Sequence, residues 1–352
     1  MKDVTKEYFP LIDIGRFVAA LSVVCFHYFA LTSKSLEPGL LKTYLEHGFM
    51  GVQLFFMISG FVIFYSLQGS IGKYALGRFL RIYPLFWVCC TITYLVTIFF
   101  GESHLPFTTY LYNLLIVNDG KTAYMVDGSY WTLTHEIFFY FYIGVFVYLF
   151  GRKHIEIFFY TWLGIISSAV LLGLQGNIIF KILLVRSGYY FIFGGLLALL
   201  YSTWNTSSIS QKIRRMFGML AATVMPFILS HTLYAESTQV TNNFGMYHGV
   251  TSVLIGMLFV VMIGLVVFSK YMTNKNTLGV AMVLGGITYP VYLLHQVIGA
   301  TVLGRIGAWG YFGTLSILLV VMICLTSYIL YIYDAKTRRY LHTRMSRALK
   351  IT

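Results

Sequence analysis

Residues 10–32 read PLIDIGRFVAALSVVCFHYFALT, and this stretch decides the fold class. As one helix it would extend about 35 Å, enough to cross a hydrocarbon core of about 30 Å. Its charged or imidazole side chains are Asp13, Arg16 and His27 alone. Nine further apolar blocks follow, near 47–67, 83–100, 130–150, 155–174, 187–203, 217–234, 248–268, 277–298 and 311–333. Blocks of this length predict an all-α polytopic membrane protein of about ten transmembrane helices. Alternating ten-residue segments, the mark of a membrane β-barrel, do not occur.

The composition of the whole chain agrees. Of 352 residues, 58% are hydrophobic and only 11% charged, where soluble domains carry about a quarter charged residues. So few charges could not coat a water-soluble fold, and so apolar a chain is not disordered. A net charge of +13 belongs to basic loops at a membrane surface rather than to nucleic-acid binding. Cys25, Cys89, Cys90 and Cys324 all fall inside apolar blocks and read as packing residues. His47, His104, His154, His231 and His248 sit in loops or at block ends, with no metal-type spacing, so no metal is expected. Residues 1–352 read as a single transmembrane domain with no cleavable signal and no appended soluble domain. No internal repeat is evident.

Basic residues set the expected orientation. With a cytoplasmic N-terminus, 18 of the 25 Lys and Arg lie on the cytoplasmic side and 6 opposite, at Lys34, Lys42, Lys121, Lys181, Arg186 and Arg305. Lys and Arg resist translocation, so both termini are expected in the cytoplasm. The opposite loops carry Glu37, Glu46, Glu102, Asp119, Asp127 and Glu236. The basic run Arg338–Lys350 reads as a lipid-headgroup anchor.

Charge inside a bilayer costs about 2.5–3.5 kcal/mol per residue on insertion scales, so each such group asks for a role. Arg16 and His27 are eleven residues apart; at about 100° per residue they share a face, roughly 16 Å apart along the axis. Asp13 stands one turn before Arg16 and can pair with it. The fourth block opens with Trp131, His135 and Glu136, and Glu136 lies at a depth close to that of His27. A carboxylate beside an imidazole fixes its tautomer and stabilises the imidazolium, so the two could form an oriented base; the alternative is a packed, hydrogen-bonded core histidine.

Three further stretches stand out. The small residues of Gly51-Val52-Gln53-Leu54-Phe55-Phe56 and Ile58-Ser59-Gly60-Phe61 allow close helix approach or leave room for a ligand. Arg78 and Arg81, one turn apart in RFLRIYP (78–84), could grip a phosphate bidentately or serve as cytoplasmic anchors. In ITYPVYLLH (287–295), Pro290 is expected to kink the helix. Tyr292 and His295 come out near the outer surface, at an acceptor entrance or simply at the interface.

Together these motifs resemble the acyltransferase-3 family of integral membrane O-acyltransferases over nearly the whole chain. Arg16 and His27 match its Arg-x10-His pattern, and Gly51 to Gly60 its Gly-Val-x-x-Phe-Phe-x-x-Ser-Gly segment. Arg78 to Pro84 is similar to Arg-x-x-Arg-Ile-x-Pro, Trp131 to Glu136 to Trp-Ser-Leu-x-x-Glu, and Tyr292 to His295 to Tyr-Leu-x-His. Gln53, Thr132 and Ile137 depart from the common Asp, Ser and Glu.

The resemblance implies transfer of an acyl group, commonly acetyl, from cytoplasmic acyl-CoA to a hydroxyl of a cell-surface or lipid-linked carbohydrate. It implies a multi-pass protein of the bacterial inner membrane, with acetyl-CoA as co-substrate. In that reading His27 and Glu136 are catalytic, His27 removing the hydroxyl proton. Arg16, Arg78, Arg81 and Ser59 bind acyl-CoA, and Asp13, Gln53, Trp131, Tyr292 and His295 line the pocket on the acceptor side. No Ser or Cys identifies itself as a nucleophile, which favours direct transfer over an acyl-enzyme. A transporter or flippase for a lipid-linked sugar, without acyl transfer, is the alternative; the missing repeat counts against it.

Overall fold

The computed structural model describes residues 8–31, 45–67, 69–101, 105–116, 125–236, 248–306 and 312–348. Expectations resting on Lys2, Lys6, Lys34, Glu37, Lys42, Glu102, His104, Asp119, Lys121 and Lys350 lie outside these residues, as do the side chains of His231, Glu236 and His248. Among the described residues every regular element is helical, and no strand is present. Seven of these helices are long and apolar enough to cross a membrane, and Gly188–Ser202 and Val253–Ser269 are shorter apolar ones.

In chain order the helices are α1 (Pro10–Cys25, continued by a π-helical turn Phe26–Leu31), α2 (Gly51–Ser66), α3 (Ile71–Phe100), α4 (Phe107–Asn113) and α5 (Trp131–Phe150). Next come α6 (Ile155–Leu171), α7 (Ile178–Ile182), α8 (Gly188–Ser202), α9 (Ile209–Glu236) and α10 (His248–Ser269). The last are α11 (Lys275–Leu294), α12 (Gln296–Ile306) and α13 (Phe312–Ala348).

Several boundaries differ from the hydropathy reading, most of all the start of α3 and the end of α13. The third block was expected from residue 83, yet α3 starts at Ile71 and carries Arg78, Arg81 and Pro84 within it. Lys and Arg break an apolar run but are good helix formers, and no strong stop lies between Gly69, at φ 90°, and Pro84. Likewise α13 runs 37 residues to Ala348, well past the end of the apolar block at 333.

The chain divides into two compact units. The first comprises Met1–Ile12, Gln53–Tyr74 and His135–Tyr271. Helix α8 lies at its centre, packing on α6 and α9, and α9 in turn packs on α10. Every residue of α8 from Gly188 to Leu199 is buried, which explains why that segment is apolar all round rather than striped. Its Phe191 ring stacks on Phe139 at 4.3 Å. Gly60 of α2 lets the helices close on each other: a Cβ there would strike the Phe191 carbonyl oxygen. A polar lock fastens one end, where Glu156 receives Arg214 at 2.8 Å and Arg215 at 2.7 Å. Arg215 also donates to Thr203 and Ser207.

The second unit comprises Asp13–Val52, Ala75–Thr134 and Met272–Thr352. Here α11 packs on α13 and α12, and both α12 and α13 reach the π-helical turn after α1. Tyr289 of α11 donates to the Ile82 carbonyl of α3 at 3.1 Å. The short α4 is tied to α3 by Trp87, whose indole N–H reaches the Leu114 carbonyl at 3.0 Å. Gly51 approaches the Ala19 carbonyl of α1 so closely that a Cβ would collide with it. Outward-facing Phe99, Tyr333 and Met322 are well exposed, as expected of side chains that meet lipid.

Candidate active site

In the second unit the site is built on the π-helical turn. Helix α1 is regular to Cys25, then widens over Phe26–Leu31; such single π turns recur at functional sites because they re-aim side chains. His27 sits on this turn. Its ring lies face to face with that of His295, centroids 5.0 Å apart and planes 12° from parallel. Phe26 flanks it at 5.1 Å. On the same helix Asp13 and Arg16 approach to 4.0 Å, both side chains mostly shielded. A Cβ at Gly285 of α11 would strike the Asp13 carboxylate, so that glycine leaves the space in which Asp13 sits.

His295 is fully buried within the protein. It occupies the junction between α11 and α12 and is held there at both ends. Its Nδ1 lies 2.6 Å from the Tyr292 carbonyl oxygen, and its own carbonyl accepts the Tyr28 hydroxyl at 2.8 Å. Gly299, one turn into α12, lies under the Tyr28 ring, where any Cβ would collide. Hydropathy gives the depth of a residue in the membrane but not whether it faces lipid or protein, which is why its burial was not foreseen.

A residue assigned no role from the sequence organises this junction. Asp127 is fully buried. One carboxylate oxygen accepts the Ser129 N–H at 2.8 Å and the Ser129 hydroxyl at 2.6 Å; the other accepts the Val297 N–H at 2.9 Å. It therefore caps both the turn leading into α5 and the first turn of α12, satisfying donors that a helix start leaves open. Burial pushes its carboxyl above the usual carboxylate range, and these donors pull in the opposite direction. Thr132 Oγ1 donates to the Ser129 carbonyl at 2.9 Å and lies 3.2 Å from the Tyr292 hydroxyl, so the Ser-to-Thr departure keeps a hydroxyl in place. Asp127→Ala would strand two backbone N–H groups inside the protein. At about 1–3 kcal/mol each, it is expected to lower stability by a few kcal/mol. Thermal unfolding of the purified protein in detergent checks this, and Asp127→Asn, which keeps one acceptor oxygen, should lose about half as much.

Arg78 and Arg81 stand one turn apart on α3, partly shielded. Asp334 of α13 is close enough to Arg81 to feel its charge, and it pairs with Arg338 at 2.7 Å. Trp131 begins α5 with its side chain about a third exposed.

In the first unit the structure brings Ser59 and Glu136 together. Ser59 donates to Glu136 Oε1 at 3.0 Å, and Tyr140, one turn on, donates to the same oxygen. Ser59 thus orients the carboxylate. Beside it, His135 Nδ1 lies 2.9 Å from Ser187 Oγ. The His135 ring stacks on Phe56 at 6.0 Å. Tyr140 was legible as the i+4 neighbour of Glu136; Ser187 was not, being distant in sequence. Gln53 opens this unit on α2. His27 belongs to the second unit and Glu136 to the first. Among the described residues no three His, Cys, Asp or Glu gather as a metal site would need.

A helical, apolar protein with buried imidazoles, carboxylates and arginines in its spans is of the class of polytopic membrane enzymes and transporters. Comparison with known proteins narrows the class. The family profile described as "Acyltransferase domain" matches residues 9–333, and the chain belongs to that family, acyltransferase-3. It is 27% identical over 233 residues to the "O-acetyl transferase" of Shigella phage Sf6, covering 59% of this chain and 68% of that protein. It is also 27% identical over 140 residues to ORF330 of Acidianus two-tailed virus, whose name suggests an acetyltransferase. That match covers 39% of this chain and 41% of the viral protein, so the chain spans about two fifths of that relative's length. No solved structure matches.

Proposed function

We propose that the protein is a membrane O-acyltransferase, moving an acetyl group from cytoplasmic acetyl-CoA to a hydroxyl of a cell-surface or lipid-linked carbohydrate. The family match along 9–333 carries this reading, and the phage O-acetyl transferase supports the acyl group named. His27 is the acid–base residue, and Glu136, held by Ser59 and Tyr140, is the second catalytic residue. Arg16, Arg78 and Arg81 lie toward the cytoplasm, as the bias of basic residues supports, and receive the phosphates of acyl-CoA. Gln53, Trp131 and Tyr292 line the acceptor side, with Asp13 holding Arg16. The protein resides in the bacterial inner membrane.

Replacing Arg78 and Arg81 together by Ala tests the donor site. Charge-assisted hydrogen bonds to phosphate contribute about 1.5–3 kcal/mol each, so KM for acetyl-CoA is expected to rise by about tenfold or more, with kcat less affected. An unchanged KM would leave the two arginines as anchors at the membrane surface. The function as a whole is tested by incubating membranes containing the protein with radiolabelled acetyl-CoA and no ion gradient. Consumption of acetyl-CoA supports acyl transfer, and its absence points to transport.

A further inference from the structure

His295 is locked in one protonation pattern by its surroundings. A carbonyl oxygen can only accept, so the 2.6 Å contact to the Tyr292 carbonyl requires the hydrogen on Nδ1. A neutral His295 therefore carries its lone pair on Nε2. That nitrogen is buried and has no hydrogen-bond partner among the described residues. A buried polar atom without a partner is rare and asks for a reason. A scaffolding histidine would have both nitrogens engaged; here one nitrogen anchors the ring and the other stays available. The ring is held by the Tyr292 carbonyl, its main chain by Tyr28 and by the Asp127-capped start of α12, and the ring lies flat against that of His27. Two imidazolium rings stacked at 5.0 Å repel each other strongly away from water, so the pair holds at most one added proton.

We propose that His295 is a second catalytic histidine, and that it and His27 act as a one-proton pair in which His295 Nε2 takes the proton of the acceptor hydroxyl. This rests on the acyl-transfer reading and divides between two histidines the proton transfer expected of His27. The acceptor O–H bond breaks as its oxygen bonds to the acyl carbon, and the proton passes to His295 Nε2. The C–S bond breaks with its electron pair going to sulfur, and His27, protonated beforehand, gives that thiolate its proton. The products are ester and thiol, and the pair has one added proton before and after. Return of the proton from His295 to His27 through solvent resets the site.

The test uses the full-length protein in proteoliposomes, with radiolabelled acetyl-CoA and surface polysaccharide from a host strain lacking this chain. His295→Asn keeps an N–H able to reach the Tyr292 carbonyl and removes the Nε2 lone pair. His295→Gln offers an oxygen near the Nε2 position that accepts a hydrogen bond but is too weak a base to take the proton. Both are expected to lower kcat by about 100-fold or more, the scale of general acid–base catalysis, with KM for acetyl-CoA within about twofold, since removing a group that acts only in the transition state leaves donor binding alone. The His27→Asn/His295→Asn double variant should be no more than about tenfold slower than the slower single one, as expected of residues acting as a unit. If either His295 variant keeps transfer within about threefold of wild type while His27→Asn is inactive, His295 is a packing residue and this inference falls alone. Multiplying losses in the double variant would also overturn it. Wild-type protein that moves no label overturns the acyl-transfer reading, and this inference with it.

Discussion

Membranes carrying His27→Ala in place of the wild-type chain are expected to transfer acetyl groups at least about 100-fold more slowly, the contribution usual for an acid–base residue. The side chain lies on a π-helical turn, packed between Phe26 and His295. Truncating it removes the imidazole and leaves the main chain of the turn in place, so the protein is expected to insert and be recovered at wild-type levels. Comparison of transfer rate with the amount of folded protein, by size-exclusion chromatography in detergent, separates lost chemistry from lost fold. A variant that folds and still acetylates at full rate would remove His27 from the reaction.

Glu136→Gln should have the second largest effect. The carboxylate accepts from Ser59 and Tyr140 on one oxygen, and the Gln amide oxygen can accept in the same place. Geometry is therefore kept while the charge is lost. If the negative charge is what supports an imidazolium during transfer, kcat should fall by about 100-fold with the thermal stability nearly unchanged. Glu136→Ala leaves the two hydroxyls without their acceptor and should lower stability as well, by about 1–3 kcal/mol. A Gln variant with full activity would show that Glu136 only ties α2 to α5.

Much of the fold was legible because lipid imposes a simple rule: an apolar block of membrane length becomes a helix. What hydropathy could not read was helix where the chain turns polar. The start of α3 at Ile71 and the end of α13 at Ala348 follow from helix propensity and the lack of breakers. The π turn at His27 left no hydropathic trace either, since pitch depends on local packing rather than on polarity.

The site was legible as residue types and only partly as partnerships. Asp13 and Arg16 could be paired from spacing, because one turn of helix brings them together. His295 was placed by its depth alone; its burial depends on Tyr28, which is 267 residues away in the chain and donates to its carbonyl, a partnership that spacing could not show. Asp127 escaped for a related reason. An acid in a loop between apolar blocks looks like a solvated charge until Val297, remote in the chain, is seen to donate to it.

The most direct test of acyl transfer to carbohydrate is mass spectrometry of surface polysaccharide from matched strains with and without this chain. Acetyl groups added to the repeat unit, and absent from a strain carrying His27→Ala, are the expected result. Identical polysaccharides from strains with and without the wild-type chain would contradict it.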